Sequence, residues 1–251
     1  MEDVTLKSRR NLCWFVSCLL MLNAHFLYAE TLNASIALIP IHAEVIDGQP
    51  QGGFVEVVKL LDNTYREGRI EYRLYPFARS IANIEGSKAD FHLPLIRPNQ
   101  KITNGLGFDY VSEPICQVTF VLYSLKTLSD ITPENAADYD VDTHRGHKAM
   151  FDFAIHEVGS VEMGINKLLK GRSDGFIFEQ EAVDSFIREH GLTQIKRQYF
   201  ASYDSSIIVP KSEQGQSTAA ILNILIKQLK KDGKLQNITR HIHQPFQDWQ
   251  P

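Results

Sequence analysis

The chain has 251 residues, with 26 Lys and Arg against 30 Asp and Glu, a formal net charge of −4 and 3 cysteines. This mild acidity argues against nucleic acid or an anionic membrane surface as partner, because both favour a basic patch. Cys13 and Cys18 fall within the first 29 residues, which leaves Cys116 alone beyond them and excludes a disulfide-stapled module.

At the N-terminus, Lys7, Arg9 and Arg10 precede the apolar run 12–22, and Ala24 and Ala29 follow a polar break. That is the layout of a secretory signal peptide over 1–29, with an apolar core too short for a stable span; an uncleaved anchor is the competing reading. Removing this segment takes away three basic and two acidic side chains, so the remainder is one unit more acidic. About 220 residues remain, enough for one large domain or two small ones.

Residues 35–40 read as a buried first strand ended by Pro40. The loop over 41–52 carries His42, Glu44, Asp47, Gly48 and Pro50. Phe54, Val57, Val58, Leu61 and Tyr65 form one apolar helical face, and Ile70, Tyr72 and Leu74 alternate with charges as in a half-buried strand. A second helical stripe, Phe77, Ile81 and Ile84, stops at Gly86, and a short strand then leads to Arg97. Helices alternating with strands predict right-handed crossovers and a mostly parallel sheet, whose ligand site lies outside the carboxyl strand ends.

Farther on, 117–124 is a strand apolar on both faces, suited to crossing between lobes, and Thr132-Pro133 marks a helix start. Ser160 is placed to cap a helix with the stripe Val161, Ile165, Leu168 and Leu169, closed by Gly171. A strand over 174–178 and a helix ending at Gly191 follow. Helix, Gly turn, Asp and apolar strand thus occur twice, at 81–97 and 166–191, as one unit per lobe. Residues 199–209 form the return crossing, and 217–242 is helical with a break at Asp232-Gly233. Asp90 and Asp174 are read as strand-entry residues that fix the backbone. Cys116 is read as a small buried residue at a strand start.

Gly53-Phe54, Pro76-Phe77-Ala78-Arg79 and the turn from Gly86 to Asp90 occur in an order that resembles the extracytoplasmic solute-binding proteins of the polar-amino-acid type. The resemblance implies an α/β, two-lobed, type II periplasmic-binding-protein-like fold, each lobe a mostly parallel sheet flanked by helices. Lobe 1 is expected over 30–123 with 205–251 and lobe 2 over 124–204, hinged near 118–124 and 199–209.

Physically, an arginine fork and helix-start amides suit a carboxylate, and a carboxylate suits an ammonium group. Arg97, Arg79, Arg145-Gly146 and Glu179 fall where the lobes would face each other, and Tyr75 and Phe77 are candidates for lining the cleft. The resemblance places the ligand amine on Glu179, five positions after Asp174, and the ligand carboxylate on the Arg145-Gly146 backbone. It departs at Arg97, which lies only seven residues after Asp90 with no T-x-x-R. The expected function is capture of a small polar, amino-acid-like ligand by an exported monomer, for a membrane transporter or receptor. Rival readings are a dehydratase-like enzyme with Glu179 as general acid, or a sensory domain without ligand. No nucleophile–base pair and no metal spacing of Cys or His is evident, so neither cofactor nor metal is expected.

Overall fold

Apolar alternation from Leu32 onward builds the central strand of the first lobe. The structure, a computed structural model, describes residues 30–39, 41–98 and 105–251, so the expected signal peptide lies outside the described residues. Strand β1 (Glu30–Leu38) leads through the short β2 (Glu44–Ile46) and β3 (Gln49–Gln51) into helix α1 (Gly53–Thr64). Then come β4 (Gly68–Pro76), α2 (Phe77–Glu85), β5 (Phe91–Ile96) and β6 (Phe108–Tyr110). β1 is flanked by β4 and β5, both parallel to it. The predicted α1 stripe is buried throughout: Phe54, Val57, Val58, Leu61 and Tyr65 meet Leu32, Ile36 and Ile70. Each such side chain contributes about 2 kcal/mol of apolar burial before the entropy of ordering it.

The second lobe repeats the plan with β8 (Val141–His144), β9 (His156–Val158), α3 (Val161–Leu169), β10 (Gly175–Glu179) and α4 (Gln180–Glu189). β8 lies between β9 and β10, parallel to both. Ser160 caps α3 as expected, its Oγ accepting from the Met163 amide at 3.1 Å. The two strand-entry aspartates do the same work in each lobe. Asp90 accepts from the Asn33 amide at 2.7 Å, and Asp174 accepts from the Asp140 amide at 2.9 Å. In each case the carboxylate ties the incoming strand to the start of its parallel neighbour, which explains why the pattern recurs.

Between the lobes run β7 (Cys116–Leu125) and the 16-residue β11 (Ile195–Pro210), antiparallel to each other. β11 also pairs with β5 and β6, and β7 with β10, so both lobes share one nine-stranded sheet of order β4-β1-β5-β11-β7-β10-β8-β9, with β6 on β11. One core gathers residues of 32–115 and 207–242, and the other gathers residues of 118–203. Helices α5 (Glu213–Lys231) and α6 (Lys234–Thr239) close the first core, separated at Gly233, whose φ of 67° is left-handed.

Two expectations need correction. Thr132-Pro133 starts no α-helix; only a 3-10 turn forms at Ala136–Asp138, because this stretch buries just Ile131 and Ala136 and offers no apolar stripe. α2 ends at Gly86 as expected (φ −89°), and the left-handed residue that follows is Ser87 (φ 50°). Ser87→Gly is therefore expected to stabilise the fold by about 0.5 kcal/mol, read from urea unfolding. Lastly, the chain beyond Ile242 leaves the first lobe: Phe246 and Trp249 pack on the second core.

The tail is held there by Arg197, whose residue is 2% exposed. Its Nε and Nη2 donate to the two Asp184 oxygens, each at 2.6 Å. Its Nη1 donates to the Gln247 and Trp249 carbonyls at 2.8 and 2.7 Å, and its guanidinium lies 4.4 Å from the Trp249 ring centre. Tyr123 Oη adds a hydrogen bond to Asp184 at 2.8 Å.

Candidate functional site

At the carboxyl strand ends of the first lobe, the predicted residues do not converge. Arg97 follows β5, but its Nη2 donates to the Val111 carbonyl and its guanidinium sits 5.0 Å from the Tyr110 ring centre. Its Nε is buried without a partner. The fork is therefore turned into its own lobe. Arg79 is exposed in the first turn of α2, Tyr75 is half-buried at the end of β4, and Phe77 is 42% exposed with its ring edge-on to buried His92. Among the described residues none of Arg79, Arg97 and Arg145 forms an ion pair with Glu179.

The second lobe does bring two of the candidates side by side. β8 and β10 are in register at Thr143 and Ile177, so Arg145 and Glu179, each two residues on, leave adjacent strand ends. Neighbouring strands are about 4.8 Å apart. Between those points His144 stacks on Phe178, ring centres 4.9 Å apart. Arg145 is exposed, and Gly146 has φ 92°, with its amide turned to an anion. That anion belongs to the protein itself: Glu157 Oε1 accepts from the Gly146 amide at 2.7 Å and the Lys148 amide at 3.4 Å. The Gly146 contact above all holds the Glu157 carboxyl below the usual range, despite some burial.

Glu179 ends β10 and precedes α4 without spending its carboxylate on the helix cap. It faces His42 from the loop after β1 and His243 from just beyond α6, with one donor atom of each within 4.8 Å of the others. Burial pushes the Glu179 carboxyl up, with His243 opposing and Glu181 adding to the rise. Both histidines are 7% exposed, and their rings lie 4.9 Å apart. Burial first, and then His243, lowers His42 to about 4. His243 Nδ1 stands 3.6 Å from Glu181 Oε2, both buried without hydrogen-bond partners. Against the upward push of burial, His243 and the Gln244 amide hold the Glu181 carboxyl below its ordinary value.

Local sequence explains why the histidines stand there. The Phe54 amide donates to the His42 carbonyl at 3.1 Å, and a Cβ on Gly52 would lie 2.4 Å from that same oxygen. A Cβ on Gly53 would lie 2.2 Å from Ile242 Cγ1. The two glycines thus let the start of α1 close onto the backbone of His42 and the residue before His243. The His243 amide completes the placement by donating to the Thr239 carbonyl at 3.0 Å.

Sequence reasoning singled out Glu179, named His42 only as part of the 41–52 loop, and gave His243 no role. The two histidines lie far from Glu179 along the chain, and the only available signal was the Gly52-Gly53-Phe54 stretch that packs on them. A second missed group, Ser35, Ser80 and His92, forms a hydrogen-bonded chain of 2.8 and 2.6 Å. All three residues are fully buried, and burial lowers His92 to about 4. The chain joins α2 to β1 and β5. Cys116 opens β7 as expected, and burial pushes its thiol up to about 12, opposed by Ser205. Cys116 is half-buried, and with its thiol held protonated it should react with iodoacetamide more slowly in the native protein than in urea, as read by mass spectrometry.

No protein-family model matches the sequence, and no curated protein matches it. Solved structures do match. A mutant of ArgBP from T. maritima is 17% identical, with TM-score 0.60 over 84% of this chain and 93% of that one. A histidine kinase sensor domain described as similar to periplasmic binding proteins is 15% identical, with TM-score 0.62 over 84% and 95%. The GluR0 ligand-binding core from Nostoc punctiforme, in complex with L-glutamate, is 15% identical, with TM-score 0.61 over 85% and 100%. Together with two cores bridged by two long strands, these likenesses define the fold as two-lobed and type II periplasmic-binding-protein-like. Of these three, the first is a mutant of ArgBP, the second a sensor domain and the third a ligand-binding core. Among the described residues no helix is long and apolar enough to cross a membrane.

Proposed function

We propose that the protein is an exported solute-binding protein that captures a small polar, amino-acid-like molecule between its lobes. In this reading the lobes divide near 123 in β7 and near 204 in β11, and they close by bending those two strands. The observation that carries it is the pairing at the edge of the second lobe. A carboxylate, Glu179, ends one strand beside a neighbouring strand whose following turn offers an amide, Gly146, already adapted to an anion. Ammonium on the first and carboxylate on the second is the charge pattern of an α-amino acid. Arg145 adds positive charge at the carboxylate end. Arg79, Tyr75 and Phe77 border the opposite wall, and Arg97 contributes through the shape of its lobe. The neighbours' association with arginine, glutamate and amino-acid transport supports the solute class and an extracytoplasmic location after cleavage of 1–29. The bound form is read by a transporter or receptor.

The test is thermal unfolding of the metal-stripped protein, in EDTA, against L-amino acids, polyamines and small carboxylates. At least one should raise the transition, because a ligand at 100 times its Kd adds about 2.7 kcal/mol to the native state. Glu179→Gln should remove that rise. Silence across the panel at millimolar concentration overturns the reading.

Glu157 on the Gly146 amide favours a second reading, a sensory domain whose anion site is filled by its own side chain. Glu157→Gln separates the two. It leaves a sensory domain unresponsive to the panel, whereas it sharpens carboxylate binding in a solute-binding protein.

A further inference from the structure

We propose that His42, Glu179 and His243 form a binding site for a divalent late-transition-metal ion, of which Zn²⁺ is the probe, clamping the two lobes together. The inference goes beyond solute capture and is tested apart from it, although both draw on the Glu179 carboxylate.

Two imidazoles and one carboxylate are a donor set that such ions take, leaving a fourth position open for water or another ligand. Their donor atoms lie within 4.8 Å of one another. Four-coordinate bonds of about 2.1 Å place donors about 3.4 Å apart, so an ion would draw the widest pair together by at most about 1.4 Å. Side-chain rotation supplies that movement, since the backbones of His42 and His243 are already fixed by Gly52, Phe54 and Thr239.

Several independent features fit a ligand at this point. His42 and His243 are each 7% exposed, and their rings lie 4.9 Å apart at a tilt of 51°, a contact that no hydrogen bond between them supports. His243 Nδ1 and Glu181 Oε2 are buried, unpartnered and 3.6 Å apart. A carboxylate beside a ligating imidazole is the usual outer support that fixes ring orientation and raises ligand basicity. Glu179 keeps its carboxylate clear of the α4 cap, although it stands at the cap position. His42 belongs to the first lobe, Glu179 to the second and His243 to the strap that joins them, so one ion ties all three.

Isothermal titration of the purified, EDTA-stripped full chain with Zn²⁺, with no solute present, tests the site. The expected result is one tight equivalent, with Kd raised at least about tenfold in each of His42→Ala, Glu179→Gln and His243→Ala. His190→Ala, at the exposed end of α4, should leave it unchanged. Tight binding that persists in all three variants, or its absence from the wild type, overturns the proposal. Should a variant fail to fold by circular dichroism, X-ray absorption at the zinc edge of the wild-type protein decides. Two imidazoles with an oxygen ligand support the site; a sulfur shell, or scattering without imidazole, overturns it. Because this titration omits solute and the solute panel omits metal, either idea can fail while the other stands.

Discussion

Arg197→Met should cost about 3 to 5 kcal/mol in urea unfolding and release the C-terminal strap. The reason is the asymmetry of buried ion pairs. The Arg197 side chain is 0% exposed and that of Asp184 7%, and the pair is two-pronged at 2.6 Å on both arms. Keeping the pair intact gains little over an apolar pair of similar size, but removing one partner leaves a charge in an apolar setting. Here the stranded charge would be Asp184, with only Tyr123 Oη and the Trp249 indole left to donate to it. Two backbone carbonyls of the strap also lose their donor. Trp249 should move into water, giving a red-shifted emission and early proteolysis within 244–251. A double variant, Arg197→Met with Asp184→Leu, should recover at least half of the lost stability, because no charge is left unpaired. If the double variant is no better than the single one, the loss lies in packing around the guanidinium rather than in the stranded carboxylate.

Gly52→Ala should be nearly as damaging, at about 3 kcal/mol or more, while Gly48→Ala in the same loop should cost only about 1 kcal/mol. Both glycines have positive φ, 114° at Gly52 and 74° at Gly48, so backbone strain alone would not separate them widely. Space does. A Cβ at Gly48 meets nothing within 4 Å, whereas at Gly52 it would sit 2.4 Å from the His42 carbonyl oxygen. That oxygen accepts from the Phe54 amide and cannot retreat without breaking the start of α1. The effect should also reach the interlobe junction, because His42 moves with its carbonyl. Equal losses in the two variants, measured by urea unfolding, would mean that the loop relaxes freely and that His42 is not held in place.

The helices and strands that were legible in the sequence share a cause. α1, α3 and α4 each bury one stripe, and the strands after Asp90 and Asp174 enter the sheet through the same short contact, so local spacing carries their information. Glu179 was legible for a related reason, as a charge closing an apolar strand. The arginines were less so. A guanidinium on a strand end has a long reach, and only the neighbouring chain decides whether it turns outward, as Arg145 does, or inward onto Tyr110 and Val111, as Arg97 does. Thr132-Pro133 shows the opposite failure: start signals were present, but no apolar face followed to hold a helix.

By itself, then, the sequence determined two repeats of helix, turn, aspartate and strand, the long apolar crossings between them, and the carboxylate at the second lobe's edge. Periodicity and capping act over a few residues, so they are written where they act. Only the tertiary structure decided that His42 and His243 meet Glu179, that Glu157 occupies the Gly146 amide, and that the tail crosses to Arg197. Each of those joins segments whose contact depends on how whole strands and helices stack, and no local pattern encodes that distance.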